Sequence, residues 1–341
     1  MYWCNDPGYV LRKAVSFLLP TPTAMDPTRR RFLMLAAAAC APVAAARAGV
    51  DLLPLSTAFK NVDRYHAIMT KARAAGWAQL PIGQRIALLG RQCIGIPYVG
   101  YTLEIDDKIE CPSANFDGLD CWTFFETVLG MARLLERPRA VYTPQDLLKE
   151  IQWTRYRAGV CTGNYLERIH YLNEWFIDNE ARGNVKDITR ALGGAIQLRG
   201  RESREMTILW KGYRYLRKNP SLRPQMARIE AKVNTLPVWY IPKGSVAKIE
   251  AKLADGDIAG IVSAGQGGVC SHVGLITRVD GQARFMHASK NHKMVVLDQT
   301  ISRYLNSFSS HAGLIVARPL STGREVTSRA TYEANLRALG A

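Results

Sequence analysis

The chain has 341 residues, of which 48% are hydrophobic and 22% charged; this is typical of a globular protein with a sizeable core and excludes an intrinsically disordered chain. The formal net charge is +16, and because the first 48 residues hold six basic and two acidic side chains, residues 49–341 carry +12. Such a charge favours nucleic acid, anionic lipid or an acidic cell-wall polymer as surroundings, and a merely well-solvated basic surface explains it equally well.

Residues 1–48 are predicted to be a leader that contains a signal peptide. Arg29 and Arg30 precede an alanine-rich apolar run and a small-residue exit, which correspond to the charged, apolar and cleavage regions of an exported protein. The paired arginines resemble a bacterial twin-arginine signal. Translation is expected to start at Met25, and Cys40 lacks the large aliphatic residue usual ahead of a lipoprotein cysteine. We therefore expect an unlipidated periplasmic protein.

The cysteines of the mature chain follow from this export. An oxidising compartment permits disulfides, and an odd number of cysteines leaves at least one thiol unpaired. The spacing contains no CxxC pair and no Cys/His cluster, so we expect no metal site and no cofactor. No run of about 18 apolar residues follows residue 48, so no membrane-spanning segment is expected in the mature form. The five cysteines are Cys93, Cys111, Cys121, Cys161 and Cys270, and the pairing of the four besides Cys121 stays open.

The mature chain is predicted to form one catalytic domain over residues 49–320, with a tail over residues 321–341. Apolar spacing predicts helices between residues 56 and 93. Residues 94–120 are rich in Gly, Pro, Asp and Ser, so an irregular or short-stranded segment is expected there.

A second helical region is predicted in the middle of the chain. Residues 121–136 carry an apolar stripe at helical spacing, with Asp120 as the natural N-cap. A largely helical insertion follows over about residues 140–235, beginning at Thr143 and Pro144.

Strands dominate the part of the chain after residue 235. Runs of β-branched residues alternate with turn signals such as Asp255-Gly256 and Asp280-Gly281. The predicted strands span residues 236–241, 257–263, 271–278, 283–288, 293–297 and 312–318. Helices followed by a run of strands predict an α+β fold with an antiparallel sheet.

The candidate chemistry lies at the start of the helix predicted over residues 121–136. Cys121 directly follows the N-cap, where unpaired N–H groups and the helix dipole favour a thiolate, although a lone cysteine is as often a small buried apolar residue. His272 lies on an alternating strand, and the next strand carries His287. A second polar group can hold the first imidazole in its productive tautomer. The pattern predicts a Cys–His–His site.

Five short segments carry motifs in a specific order and spacing: Ile96–Gly100, Leu119–Glu126, Gly256–Ile258, Ser271–Gly274 and His287–Ser289. Together they resemble the NlpC/P60 cysteine peptidases. The motif around Cys121 is more specifically similar to the DUF1460 branch, described as N-acetylmuramoyl-L-alanine amidase-like. Trp122 and Thr123 depart from the small residues that usually follow the cysteine in NlpC/P60 enzymes, which argues against a γ-D-glutamyl-diamino-acid endopeptidase.

The resemblance implies a papain-like core in which the helix bearing Cys121 packs on the sheet. Cys121 is then the nucleophile, His272 the base and His287 the residue that orients His272. Tyr98 is expected to bind the oxyanion or substrate, with the backbone N–H of Cys121 as a second donor. The other residues expected at the oxyanion or substrate are Asp120, Arg157 and His170. Arg157 and His170 belong to the insertion. Its arginines either meet the carboxylates of a stem peptide or form a solvated face.

The resemblance also implies the substrate, which is peptidoglycan or its fragments, including anhydro-sugar muropeptides. The expected cut lies between the N-acetylmuramoyl lactyl group and L-alanine, and no nucleic-acid partner is expected. Three alternatives remain: an endopeptidase of the stem peptide, an acyltransferase that uses the same thioester, and a non-catalytic wall-binding module. The sequence leaves the oligomeric state open.

Overall fold

An antiparallel sheet forms the centre of the protein in the computed structural model, which describes residues 49–194, 196–265, 267–321 and 328–341. The predicted signal peptide, including Met25 and Cys40, lies outside the described residues. The strand order is β4-β5-β10-β6-β7-β8-β9, and β3 also pairs with β10. The strands are β3 (Val185–Asp187), β4 (Ile196–Gln197), β5 (Trp239–Pro242), β6 (Ile258–Ser263), β7 (Cys270–Val279), β8 (Gln282–Ser289), β9 (Met294–Thr300) and β10 (His311–Pro319).

This sheet confirms the antiparallel arrangement predicted for the last third of the chain. Each of its strand pairs is antiparallel. The two turn signals lie where the chain reverses: Gly256 precedes β6 with a φ of 80°, and Gly281 joins β7 to β8 with a φ of 76°, a region of conformational space that glycine enters without strain. The short parallel pair β1 (Phe59–Lys60) and β2 (Ala114–Asn115) was not predicted.

Helices surround the sheet. None of those in the described part of the chain is long and apolar enough to span a membrane. They are α1 (Leu55–Ala58), α2 (Val62–Ala74), α3 (Ile82–Gln92), α4 (Cys121–Leu134), α5 (Pro144–Arg155), α6 (Leu172–Ala181), α7 (Glu205–Ile208), α8 (Arg214–Lys218), α9 (Arg223–Val233), α10 (Lys243–Ile249), α11 (Ile301–Asn306) and α12 (Arg329–Ala338).

Helix α4 is the helical centre of the fold and matches the helix predicted to begin at Cys121. Every residue of α4 is buried, and the helix packs against α3 and α5 on one side and against β7 and β8 on the other. A helix that is buried on all sides needs apolar residues around its whole circumference, and its charged residues Glu126 and Arg133 are both paired with residues of α5. The fold is thus an α+β arrangement with the cysteine helix against the sheet.

The insertion and the tail differ from their predictions in detail. Residues 165–233 contain short helices separated by turns and the strands β3 and β4, because glycine and proline interrupt the helical pattern more often than the apolar spacing suggested. The predicted tail includes α12, where Tyr332 and Asn335 hydrogen bond to α6 through the Asp178 carboxylate and the Ala181 carbonyl. This helix is therefore part of the folded structure.

Candidate active site

Cys121 occupies the first turn of α4, as predicted. Its side chain is 7% exposed. A capping box fixes the helix start: the Thr123 N–H donates to the Asp120 carboxylate over 2.7 Å, and the Asp120 N–H donates to the Thr123 hydroxyl over 2.9 Å. The N–H groups of the first turn have no partner within the helix. The cysteine therefore stands where the backbone favours negative charge.

Asp120 acts on Cys121 through the backbone. Its carboxylate is buried and accepts from both the N–H and the hydroxyl of Thr123. The predicted N-cap is confirmed. Both bonds reach Oδ1 of the carboxylate, and the contact of Asp120 with an oxyanion or substrate stays a prediction.

Tyr98 lies beside the start of α4. Its N–H donates to the Lys293 carbonyl over 2.8 Å, and the next residue, Val99, donates to the Leu119 carbonyl over 3.1 Å. Leu119 is two residues ahead of Cys121. This short ladder holds the Tyr98 segment between the start of β9 and the cysteine, so the structure places Tyr98 near the predicted nucleophile while its role in binding stays a prediction.

Three side chains on neighbouring strands form a hydrogen-bonded chain. His272 on β7 places Nε2 at 2.7 Å from Nδ1 of His287 on β8, and His287 places Nε2 at 3.3 Å from Oδ2 of Asp298 on β9. His287 is 2% exposed and His272 is partly exposed. The two predicted histidines are therefore in direct contact.

The direction of these bonds fixes the tautomers. A carboxylate only accepts, so Nε2 of His287 carries the proton that it donates to Asp298. Neutral His287 then has a lone pair on Nδ1 and accepts the proton of Nε2 of His272. This leaves the lone pair of His272 on Nδ1, which makes that nitrogen the basic one.

The pKa values agree with neutral imidazoles at this site. Burial lowers the pKa of His272 well below its usual range, and His287 and His311 nearby lower it further. Burial also lowers the pKa of His287, against the opposing effect of Asp298. The hydrogen bond from His287 lowers the pKa of the Asp298 carboxyl. Near neutral pH, the hydrogen-bonded side chains are therefore an ionised Asp298 carboxylate and two neutral imidazole rings.

Aromatic packing and a bulge position the histidines. The ring of His287 stacks on that of Phe285 with the ring centroids 4.6 Å apart. The centroid of the Tyr304 ring, on α11, lies 5.1 Å from that of His287. Between β6 and β7 the pairing shifts beside His272, which faces Ile261 while Cys270 faces Val262. A bulge of this kind bends and twists the strand and redirects its side chains.

Asp298 is the site residue that sequence reasoning missed. It is the residue directly after the fifth predicted strand, which spans residues 293–297. An aspartate in a strand is unusual because strands disfavour this residue, and that local anomaly is the only signal that singles it out. Its partner could not be known without the β8–β9 register.

The structure assigns structural contacts to Arg157 and His170. Arg157 binds both carboxylate oxygens of Glu174 over 2.5 and 2.7 Å. His170 is 2% exposed and its Nε2 lies 3.2 Å from the Tyr165 carbonyl; burial, and then Arg168 and Arg157, lower its pKa well below the usual range. Both side chains thus contact protein groups, and their roles in substrate binding stay predictions.

The other cysteines are buried and have raised pKa values. Within the described ranges all are unpaired thiols, and burial raises the pKa of Cys93 and of Cys161 to about 12 and that of Cys111 to about 11. Burial raises the pKa of Cys270 as well. Over the residues that the structure describes, no three His, Cys, Asp or Glu side chains are placed to hold a metal ion.

Comparison with known proteins agrees with this architecture. A family model described as AmiA-like, N-acetylmuramoyl-L-alanine amidase-like, matches residues 88–313. Among curated proteins, none matches this sequence. An N-acetylmuramoyl-L-alanine amidase from Bacteroides uniformis is similar in structure, with a TM-score of 0.62 and 28% identity over 70% of this chain and 98% of that chain.

Two further solved structures are similar. A proposed xylanase from Bacteroides fragilis has a TM-score of 0.59 and 30% identity over 67% of this chain and 98% of that chain. A DUF1460 protein from Legionella pneumophila has a TM-score of 0.56 and 19% identity over 76% of this chain and 95% of that chain, and it shows the shared fold. The resemblance seen in the sequence is confirmed: the chain belongs to the N-acetylmuramoyl-L-alanine amidase-like family.

Proposed function

We propose that the chain is an exported cysteine amidase that hydrolyses the amide between muramic acid and L-alanine in peptidoglycan or muropeptides. The observation that carries the proposal is the His272–His287–Asp298 hydrogen-bonded chain on strands next to the helix that begins at Cys121. The amidase-like family supports a hydrolase acting on a peptidoglycan-type substrate. The periplasm, to which the predicted signal peptide directs the chain, is where that substrate lies.

The mechanism begins with a proton transfer. Nδ1 of His272 takes the proton of the Cys121 thiol, and the sulfur attacks the carbonyl carbon of the lactyl amide. The backbone N–H of Cys121 and the Tyr98 hydroxyl donate to the oxyanion. Asp298 holds His287 in place. When His272 becomes an imidazolium, its Nε2–H group therefore still donates to Nδ1 of His287.

Two further steps complete the reaction. His272 gives its Nδ1 proton to the leaving amine, and the C–N bond breaks to release a stem peptide that begins with L-alanine while the lactyl group remains as a thioester on Cys121. His272 then takes a proton from water, and the resulting hydroxide attacks the thioester carbonyl. The C–S bond breaks, the lactyl carboxylic acid is released, and the Cys121 sulfur takes the proton back from His272. No redox change occurs.

Product analysis of the purified protein tests the proposal. Muropeptides, anhydro-muropeptides and intact sacculi are digested with the unaltered protein and with Cys121→Ala, and products are identified by mass spectrometry. We expect peptides that begin with L-alanine from the unaltered protein, and a loss of activity of about 1,000-fold or more in the variant. Cys161→Ala is the matched control, since it removes another buried thiol and should keep the activity.

Three outcomes would contradict the proposal. Turnover retained in Cys121→Ala would show that Cys121 is not the nucleophile. Cleavage within the stem peptide identifies an endopeptidase instead. A lactyl group transferred to an added amine, with no hydrolysis, identifies an acyltransferase on the same core.

A further inference from the structure

The positive charge of the chain is concentrated in residues 199–232. This segment holds ten basic and three acidic side chains. Only part of the charge is offset by ion pairs, in which Arg204 meets Glu202 at 3.4 Å and both Arg214 and Lys218 meet Asp107. The exposed basic residues are Arg199, Arg204, Lys211, Arg214, Arg217, Lys218, Arg228 and Lys232.

Two large aliphatic side chains stand exposed in the middle of this charge. Ile208 is 61% exposed and its neighbour Leu209 is 39% exposed. Ile208 is the last residue of the single helical turn of α7 and Leu209 follows it. The Ile208 N–H donates to the Arg204 carbonyl over 2.9 Å, so Ile208 lies one helical turn beyond Arg204. Large adjacent aliphatic residues in a polar surrounding are typical of interaction sites.

The basic residues lie around the same turn. The guanidinium of Arg223 lies 4.7 Å from the centre of the Trp210 ring, and the Lys211 ammonium lies 5.8 Å from it. Arg217 donates to the Lys211 carbonyl over 3.1 Å. We call the surface formed by Arg204, Ile208, Leu209, Trp210, Lys211 and Arg217 the basic–apolar patch.

We propose that the basic–apolar patch attaches the protein to the surface of a membrane that contains anionic phospholipids. The cations attract phosphate headgroups, Ile208 and Leu209 enter the boundary between headgroups and acyl chains, and tryptophan is a residue that favours this boundary. An anionic wall polymer or a nucleic acid would pair with the cations and leave both aliphatic side chains in water. The combination of charge and exposed aliphatic residues therefore favours lipid.

The patch is firmly connected to the sheet. Glu205, in the same turn, accepts from the N–H of Gly268 in the loop ahead of β7, and Arg201 donates to the Ser263 carbonyl at the end of β6 over 2.5 Å. Attachment at the patch would thus orient strands β6 and β7, and with them His272, relative to the membrane surface. The proposal does not depend on the catalytic role of that residue.

Sedimentation of the full chain with phospholipid vesicles tests this inference. We expect binding to vesicles of phosphatidylglycerol and phosphatidylcholine and no binding to pure phosphatidylcholine. Arg204→Gln/Lys211→Gln/Arg217→Gln should weaken the partition about 10-fold or more, and Ile208→Ser/Leu209→Ser about threefold or more. The matched control is Lys149→Gln/Lys248→Gln/Lys252→Gln, which removes the same charge from exposed positions elsewhere and should change the partition by less than about twofold.

Each contrary result would overturn the inference. Equal losses in the two charge variants would show that net charge alone governs binding. An unchanged partition in Ile208→Ser/Leu209→Ser would exclude lipid insertion. Binding to purified sacculi but not to vesicles would assign the patch to the wall polymer. Thermal unfolding of each variant identifies any loss that comes from misfolding, and hydrolysis of soluble muropeptides by the patch variants should equal that of the unaltered protein.

Discussion

Two networks of buried polar side chains in this protein differ in whether their last member is paired with protein or is left available to a substrate. Two arginines of the insertion form the first network with carboxylates outside it. Arg155 pairs with Glu126 of α4 over 2.6 Å, with both side chains 0% exposed, and Arg168 lies between Glu104 and Glu110 at 3.3 and 3.5 Å. The sheet network runs from Asp298 through His287 and ends at His272.

The difference lies in what each network leaves for a substrate. The carboxylates that pair with the insertion's arginines accept from further protein donors, for example Glu126 from Trp175 over 3.1 Å and Glu110 from Tyr156 over 2.8 Å. The sheet network instead orients one basic nitrogen, Nδ1 of His272. A closed network of buried charges maintains the fold, whereas an open one can move a proton.

The closed network should dominate stability. Arg155→Ala leaves Glu126 buried without its cation, which costs about 3–5 kcal/mol of unfolding free energy. Urea denaturation followed by circular dichroism measures this loss. Arg329→Ala is the control, because its ion pair with Glu333 lies on an exposed helix face, and no measurable change is expected.

A small effect of Arg155→Ala would break the comparison. A loss below about 1 kcal/mol would mean that water or another cation reaches Glu126. The insertion would then be open to solvent at the point where it contacts α4.

The open network should dominate catalysis. Asp298→Asn removes the charge that selects the Nε2–H tautomer of His287, so kcat should fall about tenfold. The loss of the carboxylate also removes the interaction that raises the pKa of His287. The acid limb of the kcat/KM profile, which follows protonation of the histidine pair, should therefore move to lower pH.

The pH profile separates this positioning role from a merely structural one. In the unaltered protein, burial holds the histidine pKa values below the ordinary 6.5, so the acid limb should lie below pH 6.5. Asp298→Glu should restore part of the activity, since it keeps the charge. A fall in kcat with an unmoved acid limb would limit Asp298 to packing.

The sequence predicted the local and repetitive parts of this structure well. The start of α4 at Cys121 followed from Asp120 as N-cap, and the antiparallel sheet followed from alternating residues and turn signals, because both depend on neighbouring residues. The contact of His272 with His287 depends on the β7–β8 register, which the sequence does not state; their position on successive strands and the family resemblance predicted only that the two histidines act together. Asp298 needed the register of a third strand and was missed.

The insertion was harder to predict for a related reason. A basic residue in a helical segment is read as solvated unless its partner is known, and the partners of Arg155 and Arg168 lie 29 to 64 residues away in sequence. Burial also changes the interpretation of such residues, since a guanidinium that is enclosed beside protein carboxylates is shielded from a stem-peptide carboxylate. Charge patterning alone could not distinguish the two cases.

Arg157 gives the most sensitive test of the comparison, because it is the arginine of this group that keeps 27% of its side chain exposed. If the insertion is structural throughout, Arg157→Gln should lower the unfolding free energy by about 1–2 kcal/mol through the loss of charged hydrogen bonds to Glu174. KM for muropeptides should change by less than about twofold. A rise in KM of about tenfold or more at constant kcat would instead identify Arg157 as a substrate-binding residue, and the insertion's arginines would then meet stem-peptide carboxylates.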